Sequence, residues 1–393
     1  MKRLLKGHVA LFTYFFILFT FIFGGSGTIF VFDVIADEKT VTLKEVVVKP
    51  KKEKYSKKNN PAVEVMRQVR KDHKICDPMQ EPCYSYEKYE KILLGSFDMN
   101  LDFSGNPKNK FRFLEQYVDT AQWTGKRMLD LALLEKSSLR IISSDPKADK
   151  EIVRGLNSQG VNEMLNDDNV RKSLSDVLRE IDIYQSDITL LQNKFVSPLS
   201  RMGVDFYKYS ITDTVYFGGD YCVELSFVPK VPETFGFNGK LYIPLADSVK
   251  YVKRVSMRVP KAINVNYVDN IFVSQNFERD SLGKVHKVLD DLCLELKIFN
   301  FMPSLYASRQ IRYQDFDYSP KEEYRESLTT LGQIIVEEEA GKRPNEYWLD
   351  KRMIPFSNAE ARLADLTKEL RKIGLIKWSE KILKPIFQGY VGT

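Results

Sequence analysis

The chain has 393 residues, room for two or three ordinary domains, with 43% hydrophobic and 28% charged residues. That balance fits a globular protein with a sizeable core. A net charge of +6, with no recognition motif or basic stripe, gives no support to a nucleic-acid partner. The 25 Phe and 20 Tyr lean towards strands.

Residues 1–36 open with Lys2, Arg3 and Lys6 and then run from Val9 to Phe32 without a formal charge. A basic start before an apolar core is the pattern of a secretory signal. The run is also long enough to span a bilayer as a retained anchor. Both readings place the remainder outside the cytoplasm, in the periplasm or outer membrane. Membrane contact through this segment, with inner-membrane anchoring, follows only if it stays uncleaved.

Residues 37–60 hold one short strand, "TVTLKEVVVKP", and a lysine-rich linker. Asn60 then caps a short helix with Pro61 in its first position and Val65, Met66 and Val69 on one side. Cys76 and Cys83, in "CDPMQEPC", flank a loop with two prolines and form the candidate disulfide, with two free thiols as the alternative. Cys222 and Cys293 read as packing residues.

Residues 61–318 are expected to form one antiparallel sheet domain with an inserted helix. "YSYEKYEKILL" and "FRFLEQYVD" look strand-like, and residues 162–182 carry apolar positions at helical spacing. From "VDFYKYSITDTVYF" to "ASRQIRYQDF", seven segments are strand candidates, separated by short turn-rich stretches such as "GG" and "RDSLGK". Connections this short force neighbours to run antiparallel. Tyr221, Val223, Leu225 and Phe227 alternate with Cys222, Glu224 and Ser226; Leu292, Leu294 and Leu296 alternate with Cys293 and Glu295. The expectation is a one-sided sheet, apolar towards covering helices or a ligand and polar towards water.

Residues 319–393 read as a helical region. Ser357 and Glu360 stand in the capping-box relation before an apolar stripe of Leu363, Leu366 and Leu370. Further on, Lys377, Trp378, Lys381, Lys384, Phe387 and Tyr390 combine basic and aromatic side chains as a membrane-interface helix does. Packing on the preceding stripe is the competing reading.

Catalytic material is thin. The three histidines are far apart in sequence, and no zinc-protease, nucleophile-elbow or phosphate-loop motif is present. Ser144 and Lys147 match S-x-x-K without its companion motifs. Asp315 and Asp317 would point the same way on an extended segment, and Asp290 and Asp291 are a second acidic pair; both read as solvated acids. No cofactor or metal is expected.

Several stretches together carry a resemblance: "LKEVVV", "NPAVEVMRQV", "YSYEKYEK", "FVSPLS", "FYKYSITDTVYFGGDYCVELSFVPK", "YVKRVSMRVPKAINVNYV" and "DFDYSP" followed by "YWLDKRMIPFSNAE". Their order resembles a Bacteroidetes outer-membrane family in which a domain of unknown function usually follows a carboxypeptidase-regulatory-like domain and precedes a membrane β-barrel. The resemblance implies a version lacking the accessory domain and the barrel. More loosely, the strand block resembles the half-barrel of lipoprotein carriers. The resulting expectation is an α+β fold: a curved, mainly antiparallel, half-barrel-like sheet with covering helices and a helical C-terminal segment. Its function would be that of a non-enzymatic envelope binding or scaffold module, with an envelope protein or lipid as partner. A carrier of a lipid or acyl chain is the alternative, and a hydrolase the third reading.

Overall fold

The computed structural model describes residues 55–97, 112–160, 174, 176–265, 268–297 and 304–372. Among them, strands β1 (Cys83–Ser96), β2 (Val118–Thr120), β3 (Arg127–Ser144), β4 (Lys147–Gly160), β5 (Asp187–Leu190), β6 (Asn193–Val196), β7 (Tyr207–Phe217), β8 (Asp220–Pro229), β9 (Asn238–Pro244), β10 (Arg254–Arg258), β11 (Val268–Arg279), β12 (Val285–Leu296), β13 (Leu305–Asp317) and β14 (Gln333–Val336) alternate with five short α-helices. Twelve strands form one curved open sheet in the order β14-β4-β3-β1-β13-β12-β11-β10-β9-β8-β7, with β2 paired to β3; β5 and β6 form a separate hairpin. Every ladder is antiparallel except β14 on β4. The fold is the α+β, mainly antiparallel arrangement expected from the strand rhythm.

The turns follow local chemistry. Gly218 and Gly219 join β7 to β8 with φ of 55° and 89°, the left-handed pair that a two-residue hairpin turn requires. Helix α1 (Pro61–Cys76) starts where Asn60 is extended and its side chain accepts the Ala62 N–H at 3.0 Å. It stops before Asp77-Pro78, because a residue preceding proline avoids helical geometry.

From β7 to β12 the inner face is apolar. Leu225, Leu241, Val255, Val273, Leu292 and Leu294 lie in one continuous core cluster with Val63, Met66 and Val69 of α1. Leu178, Ile181, Ile183, Phe195 and Leu199 complete the cover. Each such side chain contributes roughly 1.5–3 kcal/mol when removed from water. Cys222 and Cys293 are buried free thiols in β8 and β12, and burial pushes the Cys293 thiol up to about 12.

The one-sided sheet needs correcting at β12. Its outward Asp291, Cys293 and Glu295 are as buried as the leucines. The segment before β3 lies over them: Thr124 Oγ1 donates to Glu295 Oε1 at 2.7 Å, Lys126 Nζ pairs with Oε2 at 3.1 Å, and Trp123 stacks on Phe272. "FRFLEQYVD" also differs from expectation. Arg112–Tyr117 is a 3₁₀ turn, and only Val118–Thr120 is strand. Leu114 and Tyr117 are three apart and both buried, which suits three residues per turn rather than two.

The C-terminal part covers the other face of β1, β3 and β4 with helices α3 (Glu322–Glu326), α4 (Asn345–Lys351) and α5 (Leu363–Lys372), α2 being Gly203–Phe206. The capping box is formed: Ser357 N–H donates to Glu360 Oε2 at 2.9 Å, and Glu360 N–H donates to Ser357 Oγ at 3.1 Å. Glu360 also pairs with buried Lys91 of β1 at 2.8 Å. The region is not purely helical, since β14 interrupts it with Ile334, Ile335 and Val336 exposed at the sheet edge.

Candidate functional site: an aromatic cleft backed by buried charge

Past β12 the inner face changes character. On β13, β1, β3 and β4 it carries Arg309, Lys88, Glu90, Lys136, Arg140 and Glu151, most of them buried or nearly so. Lys136 pairs with Glu90 at 2.8 Å and Glu151 at 3.0 Å, and Arg140 reaches Glu151 at 3.2 Å. Lys88 pairs with Glu180, whose second oxygen accepts the Tyr313 hydroxyl at 2.9 Å. Burial alone would raise the carboxyl of Glu180, but Lys88, Lys287 and Arg309 hold it well below the usual range. Glu151 is likewise held at about 2, against burial, by Lys88 and Lys136.

Asp290 and Asp291, read as solvated acids, are among the most enclosed groups. Asp290 sits between Lys287 at 2.9 Å and Arg309 at 3.1 Å, while Asp291 accepts from Arg312 at 2.7 Å. A buried carboxylate survives only when paired, and these strands supply the cations. Arg309 also donates to Leu178 O at 2.6 Å, and Lys287 to Ile181 O at 2.9 Å. The charged face therefore holds residues 178–181 on the sheet.

Where β1 and β12 begin and β11 and β13 finish, this arrangement borders a cavity of about 310 Å³. Both described histidines, set aside as distant in sequence, line it. His73, on the last turn of α1, stacks on Tyr184 at 3.6 Å and stands 3.6 Å from Asp77. His286, on β12, is only 4% exposed, stacks on Phe316 at 3.8 Å, and places Nε2 2.7 Å from Asp280 Oδ2 and 2.6 Å from the Tyr318 hydroxyl. The Tyr318 hydroxyl itself donates to Asp280 at 2.7 Å. Nε2 therefore carries the proton, and Asp280 and Tyr318 fix the tautomer. Burial lowers the pKa of His286 more than Asp280 raises it, and burial lowers that of His73 against Asp77 and Asp182. Tyr84, Tyr86 and Tyr313 supply further aromatic wall.

The other sequence candidates lie elsewhere. Cys76 ends α1 within the main core, and Cys83 begins β1 in a small cluster with Leu139 and Ile141. Both are buried free thiols, and they sit in different clusters. Asp315 has a left-handed φ of 55°, so the extended geometry that would align it with Asp317 is not adopted; both are exposed. Ser144 and Lys147 are paired ends of the β3–β4 turn, with the Ser144 hydroxyl donating to Glu81 O at 2.8 Å. Lys377, Trp378, Lys381, Lys384, Phe387 and Tyr390 fall outside the described residues, as do residues 1–54. Among the described residues no group of three His, Cys, Asp or Glu could hold a metal ion, and no helix is long and apolar enough to cross a membrane.

A family model matches residues 84–314, more than half of the chain and the whole run from β1 into β13. The chain belongs to the family of unknown function DUF5686. The matched span includes His286, Asp280, Gln275 and Glu180, whereas His73 and the C-terminal helices lie outside it. No curated protein matches. Among solved structures, a DUF1329 family protein from Desulfovibrio piger is 10% identical, covering 66% of this chain and 94% of its own, with a TM-score of 0.27. A LolA superfamily protein from Nitrosomonas europaea is 8% identical, covering 67% and 98%, with a TM-score of 0.23. Likenesses at this level carry no argument about function.

Proposed function

We propose that this DUF5686 chain is a non-enzymatic binding module of the cell envelope, with the aromatic cleft as its ligand seat. One observation carries the reading. The apolar half of the sheet is filled by the chain's own α1 and residues 177–199, while a cavity lined by polar and aromatic side chains remains beside the charged half. A carrier of an acyl chain needs an open apolar cavity, and here that face is occupied. Nε2 of His286 is committed to Asp280 and Tyr318, which removes that nitrogen as the free base a hydrolase would use.

Export is supported by the basic start and uncharged run of residues 1–36. In this reading residues 37–60 are a strand and linker, 61–318 the sheet domain, and 319–393 a C-terminal region that in barrel-bearing relatives leads to the membrane. The cluster from Lys377 to Tyr390 would then lie at a lipid surface. Native mass spectrometry of the chain, gently purified from an envelope fraction, tests the proposal. The expected spectrum lacks a stoichiometric lipid. A lipid or acyl chain at one per protein would overturn it in favour of the carrier.

A further inference from the structure

The aromatic cleft carries negative charge that nothing in it balances. Asp77 and Asp182 both line it, and among the described residues neither is paired with a lysine or arginine. The nearest basic group to Asp77 is His73, 3.6 Å away, and burial lowers its pKa, so it is neutral at pH 7. Each carboxylate is fixed through one oxygen: Asp77 Oδ1 accepts the Met79 N–H at 2.9 Å, and Asp182 Oδ1 accepts the Tyr184 N–H at 2.9 Å. The second oxygen of each remains able to accept. The other charges of the cleft are answered. Glu180 is shared by Lys88 and Tyr313, and Lys287 lies 2.9 Å from Asp290.

The two acids come from separate segments but act on the same rings. Burial raises the hydroxyl pKa of Tyr84 and of Tyr184, and Asp77 and Asp182 both push each of them the same way. Both acids also act on His73. The walls are an independent observation. His73 stacks on Tyr184, and Tyr86 stands 6.2 Å from Tyr84 and 5.3 Å from Phe316, so aromatic surface runs along the cavity. Ring faces are electron-rich and attract a cation, most strongly where water is partly excluded. Lys287 already makes such a contact in this cleft, its ammonium lying 5.3 Å from the centre of the Tyr313 ring.

These features choose between ligand classes. An anion would be repelled, and a neutral molecule would desolvate two carboxylates without replacing their water. A metal ion needs a denser set of ligands, and among the described residues no three acids, histidines or cysteines converge. A cavity of about 310 Å³ lies at the small end of ligand sites. Resting on the binding reading above, we infer that the cleft takes a small organic cation, an alkylammonium group whose N–H bonds donate to Asp77 and Asp182 while its carbon chain lies on the aromatic wall. A free amine and a lysine side chain share this chemistry.

The test is calorimetric titration of the full chain with butylammonium, with butanol as its neutral counterpart and butyrate as its anionic one. Saturable binding of butylammonium alone is the expected result. Asp77→Asn and Asp182→Asn keep the acceptor that each backbone N–H uses and remove the charge, and each should weaken butylammonium binding about tenfold. Asp213→Asn, an exposed acid on β7, should leave it unchanged. Circular dichroism checks the folding of each variant; if Asp77→Asn fails to fold, the exposed Asp182 decides the matter. Butylammonium binding that is indifferent to the Asp182 change, or equal binding of butanol, would overturn the assignment. Binding of butyrate or butanol alone would overturn it too and leave the cleft a binding seat. No binding of any of the three would also overturn it, while the mass spectrum still decides the envelope-module reading. To separate sources, N-acetyl-lysine methylamide is titrated beside butylammonium; equal or tighter binding identifies a lysine reader, and tenfold weaker binding a seat for free amines.

Discussion

The two halves of the main sheet are built on opposite principles. From β7 to β12 the inner face is hydrocarbon, covered by α1 and a few apolar side chains. From β13 to β4 the same face is a lattice of buried ion pairs. A hydrocarbon face tolerates many partners of suitable size, whereas a charged face works only when each member is present. The apolar half therefore supplies bulk stability, and the charged half fixes which segment docks and where the cleft opens.

Removing Arg309 is the strongest way to break this contrast. Arg309→Met leaves Asp290 with Lys287 alone and the Leu178 carbonyl unpaired, and should cost about 3–5 kcal/mol in chemical denaturation. Adding Asp290→Asn should recover part of that loss, since the orphaned charge goes with it. If the single and double variants were equally unstable, the charge would not be the cause. In the apolar half, Leu294→Ala should cost about 2–4 kcal/mol by leaving a cavity, and no second substitution of charge should rescue it.

Asp130 sharpens the comparison from the other direction. It is fully buried on β3, neither oxygen has a partner, and burial, with Asp119 and Glu360 nearby, pushes its carboxyl up to about 8. The folded protein keeps this group protonated at neutral pH while the unfolded chain releases the proton above its ordinary value near 3.8. Stability from this group is thus present at low pH and lost as pH rises towards 8. Asp130→Asn should stabilise by about 1–3 kcal/mol at pH 8 and by little at pH 4, measured as the shift in thermal midpoint. The smallest effect belongs to the cleft. His73 and His286 both resist protonation in the fold, so the unfolded chain gains protons first as pH falls below about 6.5. Between pH 7 and pH 5 stability should fall by about 1 kcal/mol, and by visibly less in a His73→Phe, His286→Phe double variant.

The contrast also explains what could be read in advance. Strands β7 to β12 announce themselves because one inner hydrocarbon face and short turns enforce alternation; Val223, Leu225 and Phe227 are where the pattern puts them, although Tyr221 is exposed and Cys222 and Glu224 on the other face are buried. Strands β3 and β4 gave no such signal. In "RMLDLALLEKSSLRIISS" buried residues fall on both sides, since helices cover one face and ion pairs the other, and alternation disappears. The acids of β12 were misread because charge alone does not reveal burial. A usable hint was present: Asp290 stands among leucines with Lys287 three residues before it, a pattern more natural to an internal pair than to a wet strand end. Nothing in the local sequence joins His73 to His286; only the pairing of β11 with β12 and the packing of α1 brings them together.

Glu360 is also a mechanical link between helix and sheet. One carboxylate closes the helix start through the Ser357 N–H and grips Lys91 in β1, a strand flanked on both sides by long antiparallel partners. A pull on the chain at Lys372 is therefore shared along α5 between β4, where Thr367 donates to Gly160 O, and β1, where Glu360 holds Lys91. At β1 it meets antiparallel ladders on either side of the strand, which must give way together before Lys91 can move.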